Sequence, residues 1–505
     1  IVFVDSSSRA AMLARESATH ARRVKRVIVM PGKLQEGGPA FDWLAFVDPE
    51  GAKSVEGKAE LHARWTSVRS EDLATLVYTS GTTGQPKGVE LTHGNLVHNA
   101  RLAGELLPLG PGDVSLIYLP LAHVLQRVSL YAGLVCGGRA VYAEDLTRLP
   151  DYIARTRPTL LAGVPRVYEK IHAKVMSQVA LKPPLIQRLF SACMRVGARY
   201  AACIREGRSL PLSLALKRRL ADRLVLSRVR KGLGGRIKYM VSGAAPIALE
   251  TLEFFHACGI LIYEGYGLSE TAAPVTLNTP SAYRFGSVGR AVPSASLRIA
   301  DDGEVLVRGP MVFRGYWKCP DASAEAFTKD ASGLEWFCTG DIGELDGHGF
   351  LRITDRKKNI IITAGGKNIA PQPIENLLRE HLLIEHVCVL GDRRPYLVCL
   401  ITLDAEALVD WAALAPKTQA TEATSREHAE VVATIEAHVN QVNASLPSYA
   451  TIKAHVLLEE SFSVESGTLT PTMKLRRKAI LRAHGEVIEQ LYTSRHEAGL
   501  EERGA

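Results

Sequence analysis

Tyr78-Thr-Ser-Gly-Thr-Thr-Gly-Gln-Pro-Lys87 sets four Ser/Thr hydroxyls and two glycines beside one lysine within ten positions. Glycine lets backbone N–H groups turn inward on an anion, the hydroxyls add donors, and lysine supplies a point charge. That combination suits phosphate. Thr79, Ser80, Gly81, Thr82, Thr83 and Gly84 form the candidate cradle, and Lys87 is the candidate cation. The apolar approach Leu73-Ala-Thr-Leu-Val-Tyr78 reads as a strand feeding the loop, which is therefore expected at a sheet edge. The spacing is not G-x-x-x-x-G-K-[ST], so this is not the usual P-loop of ATPases.

Working outward, Lys238-Tyr-Met-Val-Ser-Gly-Ala-Ala-Pro246 reads as a strand ending in small residues. Gly243, Ala244 and Ala245 would let a flat base approach the backbone, although a plain strand-ending turn has the same composition. In Leu261-Ile-Tyr-Glu-Gly-Tyr-Gly-Leu-Ser-Glu-Thr271, Tyr266 offers a flat ring for stacking and Glu270 a hard carboxylate oxygen for Mg²⁺. Asp341, after the glycine of Trp336-Phe-Cys-Thr-Gly-Asp341, is placed to accept from both ribose hydroxyls, or simply to cap a turn.

Taken in this order, the motifs resemble those of the adenylate-forming superfamily: acyl-CoA synthetases, luciferases and peptide-synthetase adenylation domains. The nearest subfamily by resemblance is the bacterial long-chain fatty acyl-CoA synthetases. The likeness spans essentially the whole chain. It implies an α/β fold with a large N-terminal multi-sheet domain, residues 1–354, and a small mobile C-terminal α+β domain, residues 355–505, hinged at Asp355. It also implies that His123 lies against the acyl carboxylate, and that Leu160 to Arg166 runs near the acyl tunnel. Glu270 would share Mg²⁺ with Thr82; Gly267 and Ser269 belong to the same nucleotide motif, Ser269 standing where the family commonly has Thr. Arg356 and Lys358 would support the nucleotide. Gly365 and Gly366, in the turn Ala364–Asn368, would line a thiol tunnel after domain rotation. Lys474, in Leu469-Thr-Pro-Thr-Met-Lys474, would stabilise the charge that develops as a carboxylate attacks the α-phosphate. No role carries over to Ile362.

The implied activity is an AMP-forming long-chain fatty acid–CoA ligase that uses ATP, Mg²⁺ and coenzyme A. A fatty acyl-AMP ligase that hands its product to a carrier protein is an alternative. So is an acyl- or nucleotide-binding protein without turnover.

Bulk properties agree with an enzyme of this kind. At 505 residues the chain exceeds one ordinary core. Its 46% hydrophobic and 23% charged content is that of a soluble globular protein. No apolar run of membrane-spanning length occurs. The cysteines at 136, 193, 203, 258, 319, 338, 388 and 399 include no C-x-x-C pair, so a reducing cytoplasm is expected. The opening Ile1-Val-Phe-Val-Asp5 reads as a strand from mid-sheet, and the resemblance implies about a hundred further residues of the large domain ahead of it.

The net charge of +8 is uneven: residues 166 to 238 hold eighteen Lys/Arg against Glu169, Glu206 and Asp222. This segment reads as amphipathic helices at Leu185–Val196 and Leu214–Leu226. It is either a peripheral attachment surface for anionic lipid or a solvated basic face. Sparse aromatics and the lack of a recognised module argue against nucleic acid.

Overall fold

Three short parallel strands, β1 (Val2–Val4), β2 (Val27–Val29) and β3 (Phe41–Asp42), lie in that order in one sheet. With the helix Val55–Thr66 they belong to a first unit, Ile1–Arg69; Ser70–Ala505 is the second. The computed structural model describes residues 2–4, 27–29, 41–42, 55–79, 86–414, 429–470 and 474–501. Ser80, Gly81, Thr82, Thr83 and Gly84 therefore lie outside the described residues, as does the 415–424 part of an Ala/Thr-rich bridge expected at 412–424.

The second unit opens with β4 (Leu73–Thr79) paired antiparallel to β5 (Lys87–Thr92), register Thr79 to Lys87. Thr79 and Lys87, the described ends of the hydroxyl-rich stretch, thus face each other across this strand pair. Thr92 then closes a capping box on the helix His93–Leu106: its Oγ1 accepts from Asn95 N at 3.1 Å, and Asn95 Oδ1 accepts from Thr92 N at 2.9 Å. Asn95 Nδ2 also donates to Pro310 O and Val312 O, which fastens this helix to a distant loop.

The main sheet comprises β6 (Val114–Ile117), β7 (Arg139–Tyr142), β8 (Leu160–Gly163), β9 (Tyr239–Ser242), β10 (Leu261–Leu268), β11 (Ala273–Leu277) and β12 (Arg290–Ala291). Its order is β12-β11-β10-β9-β8-β6-β7, parallel from β10 to β7 and antiparallel at β11 and β12. All four residues of β6 and of β8 are buried, as parallel strands covered by helices on both faces require. The apolar run Ile117-Tyr-Leu-Pro-Leu-Ala-His123-Val-Leu-Gln-Arg127 reads from its sequence as one strand with a polar mouth, but β6 ends at Ile117, a turn intervenes, and a helix starts at Val124 with His123 as its N-cap. Capping by a polar side chain wins there over the apolar run.

An antiparallel sheet follows: β13 (Ser296–Ile299), β14 (Glu304–Arg308), β15 (Phe327–Lys329), β16 (Glu335–Leu345) and β17 (Leu351–Arg356), with β16 central. β18 (Ile361–Ile362) and β19 (Asn368–Ile369) form a small hairpin. The apolar stretch Asn359-Ile-Ile-Ile-Thr363 reads from its sequence as a strand, but only β18 forms because Lys357–Asn359 takes a 3₁₀ turn. Last come β20 (Ile384–Leu390), β21 (Leu397–Leu403) and β22 (Ile452–Leu457), packed by the helices Pro371–Leu378 and Ala429–Ala444. The architecture is mixed α/β, with a large N-terminal part and a smaller C-terminal part. Among the described residues no helix is long and apolar enough to cross a membrane.

Candidate active site

A cleft of about 2310 Å³ opens at the C-terminal ends of β9 and β10 and is walled by β16, β17 and the segment around Lys474. Ligands of open α/β sheets bind at such strand ends. The volume exceeds the roughly 300–1,000 Å³ of a one-ligand pocket. Leu107, Val128, Leu160 and Tyr239, all from one packed apolar cluster, form part of its wall.

The β16/β17 pairing sets Asp341 opposite Arg356. Asp341 is 4% exposed, and its Oδ1 lies 3.0 Å from Arg356 Nε. Its Oδ2 accepts from the Tyr266 hydroxyl at 2.7 Å. Each carboxylate oxygen keeps a second lone pair that can face a ligand hydroxyl. Asp341 raises the pKa of Arg356, and burial beside that carboxylate raises the phenol of Tyr266 well above its ordinary value. Gly340, at φ +70°, donates its N–H to Glu304 Oε1 at 2.8 Å, and Lys357 Nζ holds Glu304 Oε2 at 2.8 Å. This clamp fixes the turn from which Asp341 projects.

On the opposite wall, Lys87 Nζ sits 5.1 Å from the centre of the Tyr316 ring. The Tyr316 hydroxyl donates to Glu270 Oε1 at 2.9 Å. Burial and the Glu270 carboxylate both push the Tyr316 phenol up. Only one oxygen of Glu270 is taken among the described residues, leaving Oε2 for a hard cation such as Mg²⁺, which needs few protein ligands when phosphates supply the rest.

Lys474 reaches the same cleft from the C-terminal part. Its N–H donates to Thr470 Oγ1 at 3.0 Å, and its carbonyl accepts from Thr470 N at 2.9 Å. Three residues on, Arg477 is anchored by buried Glu375 at 2.5 Å and Val389 O at 2.7 Å. The Lys474 side chain is open to water in the cleft while protein surrounds that cleft. Partial desolvation and the Arg356 charge lower its ammonium to about 8; Asp341 and Glu270 act the other way. His123 caps its helix by accepting Leu125 N–H at Nδ1, 3.3 Å away, and burial together with the charge of Lys474 lowers its pKa. With Nδ1 accepting, the neutral ring presents Nε2–H as its donor.

The description "AMP-binding enzyme" belongs to the family model that matches residues 2–317, and "AMP-binding enzyme C-terminal domain" to the one that matches residues 358–496. The chain belongs to the AMP-binding enzyme family. Long-chain-fatty-acid--CoA ligase FadD15 of Mycobacterium bovis is 40% identical to it over 496 residues, 97% of this chain and 80% of that protein. Long-chain-fatty-acid--CoA ligase ACSBG2 of Gallus gallus is 34% identical over 526 residues, 97% of this chain and 68% of its own. The crystal structure of the adenylation domain of a carboxylate reductase from Mycobacterium chelonae superposes with a TM-score of 0.63 at 25% identity, over 96% of this chain and 67% of that one.

In this AMP-binding enzyme the cleft is lined by Thr79, Lys87, His123, Gly243, Ala244, Ala245, Tyr266, Gly267, Ser269, Glu270, Asp341, Arg356, Lys358 and Lys474. Gly365 and Gly366 are not brought to it; they lie exposed in the β18–β19 turn. Ala244 adopts φ +70°, a left-handed conformation that costs a non-glycine residue about 1–2 kcal/mol. Strain of this kind is characteristic of ligand-binding turns. At Gly267 a Cβ would lie 2.2 Å from Ala273 O, so glycine is needed there for the irregular β10/β11 pairing that aims Tyr266.

Tyr316, Glu304, Lys357 and Glu264 escaped the sequence reading. Glu264 is 7% exposed in the cleft wall, its Oε2 has no partner among the described residues, and burial pushes its carboxyl up to about 8. It pairs across β9/β10 with Ser242, whose Oγ likewise has no partner among the described residues. The acid inside the apolar run Leu261-Ile-Tyr-Glu264 was the available signal. Tyr316 and Glu304 carried none, because their partners are distant in sequence.

Proposed function

We propose that this AMP-binding enzyme is a long-chain fatty acid–CoA ligase that activates a fatty acid with ATP and transfers the acyl group to coenzyme A. The observation that carries the reading is the meeting of two lysines, Lys87 and Lys474, with Asp341, Arg356 and Glu270 around one cleft that also has an apolar wall. Its 40% identity to a protein named as such a ligase supports the same reading.

A carboxylate acylates poorly because its leaving group would be an oxide. In the first step a carboxylate oxygen attacks the α-phosphorus of ATP, the bond to the bridging oxygen breaks, and pyrophosphate leaves. Negative charge spreads over phosphate oxygens in the transition state, so positioned cations and donors supply the catalysis. Lys474 and Lys87 are the cations. Asp341 accepts from the ribose hydroxyls while Arg356 and Tyr266 hold it, and the Gly243–Ala245 turn receives the base. His123 donates Nε2–H to the acyl carboxylate. Mg²⁺, when bound, would rest on Glu270 with Thr82 and neutralise phosphate charge. In the second step the coenzyme A sulfur attacks the acyl carbonyl, the bond to the adenylate oxygen breaks, AMP leaves and the thiol proton passes to solvent.

Two reactions in one cleft call for rotation of residues 355–505 against 1–354, withdrawing Lys474 and presenting the Ala364–Asn368 turn with Gly365 and Gly366. Asp355 is the pivot in this reading: it is 1% exposed, and its Oδ2 accepts from Gln372 N, at the start of the Pro371–Leu378 helix, at 2.9 Å.

The decisive experiment follows pyrophosphate and AMP release with palmitate, ATP and Mg²⁺, with and without coenzyme A. CoA-dependent turnover to palmitoyl-CoA is expected. A single-equivalent burst without CoA stimulation would make the protein an acyl-AMP ligase instead, and no release with any chain length would leave only a binding role. Lys474→Ala should abolish acyl-adenylate formation but spare thioester formation from supplied acyl-adenylate. Equal loss of both half-reactions would refute the two-arrangement account.

A further inference from the structure

We propose that the helix Leu212–Ala221, with the basic residues that flank its exposed face, is a peripheral docking surface for an anionic lipid bilayer. Leu212, Leu216 and Leu220 recur every four residues and so stack along one helix face, at 89%, 70% and 59% exposure. They are not needed to hold the helix down. Ala221 is buried on the opposite side, Leu214 and Ala215 are half-buried, and Arg218 lies over the Tyr200 ring at 5.5 Å. A helix packed by one face that leaves three leucines on the other has an unpartnered apolar stripe.

Charge selects the occupant. Lys217, Arg219 and Arg223 border the stripe, are exposed, and have no carboxylate within 4 Å among the described residues. Two of the three carboxylates of residues 166–238 are engaged elsewhere: both oxygens of Asp222 accept from Arg230, at 2.7 and 2.8 Å, and Glu206 is held by Arg208 at 2.7 Å. The neighbouring helix Pro184–Arg205 begins with further exposed apolar residues, Leu185 at 78% and Leu189 at 41%, beside exposed Arg188. Leucines between unpaired Lys and Arg match an interfacial helix: the apolar face enters the acyl boundary, and the long cationic stems reach up to lipid phosphates. A nucleic acid would use the cations and leave the leucines wet, so it accounts for only half of the surface. None of these side chains lines the catalytic cleft.

The test is sedimentation of the full chain with vesicles of phosphatidylcholine alone or mixed with phosphatidylglycerol, at low and high salt. Binding is expected to the anionic vesicles, to weaken with salt, and to fall by at least about tenfold in the Lys217→Glu/Arg219→Glu/Arg223→Glu variant. The Leu212→Ser/Leu216→Ser/Leu220→Ser variant should also lose binding. Both variants should keep the parent circular dichroism and the parent rate on a short, water-soluble acid, since the substituted side chains lie outside the cleft. Failure of the parent chain to bind either vesicle, or binding untouched by both variants, would overturn the proposal. So would a dimer in sedimentation velocity that the serine variant dissolves, which would assign the stripe to a second copy of the chain.

Discussion

Lys474 and Glu264 show one physical force acting in opposite senses on two charges. Removal from water disfavours the ionised form, which lowers an ammonium and raises a carboxyl. With its pKa near 8, Lys474 loses its proton just above neutrality. Acyl-adenylate formation should therefore decline as pH rises through about 8. Lys474→Arg, which stays charged, should retain more of its own maximal rate at pH 9; parallel pH profiles for the two proteins would exclude Lys474 as the titrating group. Glu264 is held near 8 when folded and sits at about 4.3 in an unfolded chain. The folded state therefore holds more protons between these values. This group's contribution to stability is full below about 4.3 and is lost as pH rises through 8. Glu264→Gln should accordingly raise Tm at pH 8 and change it little at pH 4, a contrast that thermal melts at the two pH values will read.

At the scale of elements, the site depends on how strands end and pair. β10 and β11 approach so closely that Gly267 has no room for a methyl group, and their register shifts between Tyr266 and Gly267. The irregularity turns Tyr266 toward Asp341 on a different sheet. Gly267→Ala should therefore lower both stability, by about 1–3 kcal/mol, and the adenylation rate. Denaturation midpoints and single-turnover rates will separate this from a purely local defect, in which the rate would fall while the midpoint held. The β16/β17 hairpin acts similarly by carrying Asp341 and Arg356 at paired positions fifteen residues apart. Helices and buried strands were legible: the helical stretch Leu185–Val196 lies within the helix Pro184–Arg205, and β9 falls within the stretch Lys238–Pro246. Short pieces were not. Ile117–Arg127 divides into strand, turn and capped helix because one polar residue, His123, offers an acceptor to a free N–H at the start of a helix.

Across the whole molecule, Lys474 is at the cleft while the Gly365–Gly366 turn is away from it, the arrangement that the proposed function assigns to adenylation. One contact that holds it joins distant parts of the chain: Arg166, at the start of the Pro165–Ala180 helix, lies 3.1 Å from Asp404 and 3.8 Å from Glu385. Arg166→Ala should slow adenylation by a few-fold, in keeping with a partly exposed ion pair of about 0.2–1 kcal/mol, and leave thioester formation from acyl-adenylate unchanged. An equal effect on both half-reactions would mean that the pair serves stability alone.

The chemical inventory of the site was written in the chain itself. Lys87, Glu270 and Asp341 stand in motifs whose residue types suit phosphate, cation and ribose, the family resemblance adds Lys474, and short-range rules of turns, glycines and apolar periodicity operate over a few residues. Only the tertiary structure decided which groups share a hydrogen bond or a field: Tyr316 with Glu270, Tyr266 with Asp341, and Lys474 with Arg356 across more than a hundred residues. It also decided which side chains protein surrounds, and so moved Glu264 up and Lys474 down. Proximity between distant segments and exclusion of solvent are created by packing, and no local pattern of residues carries them.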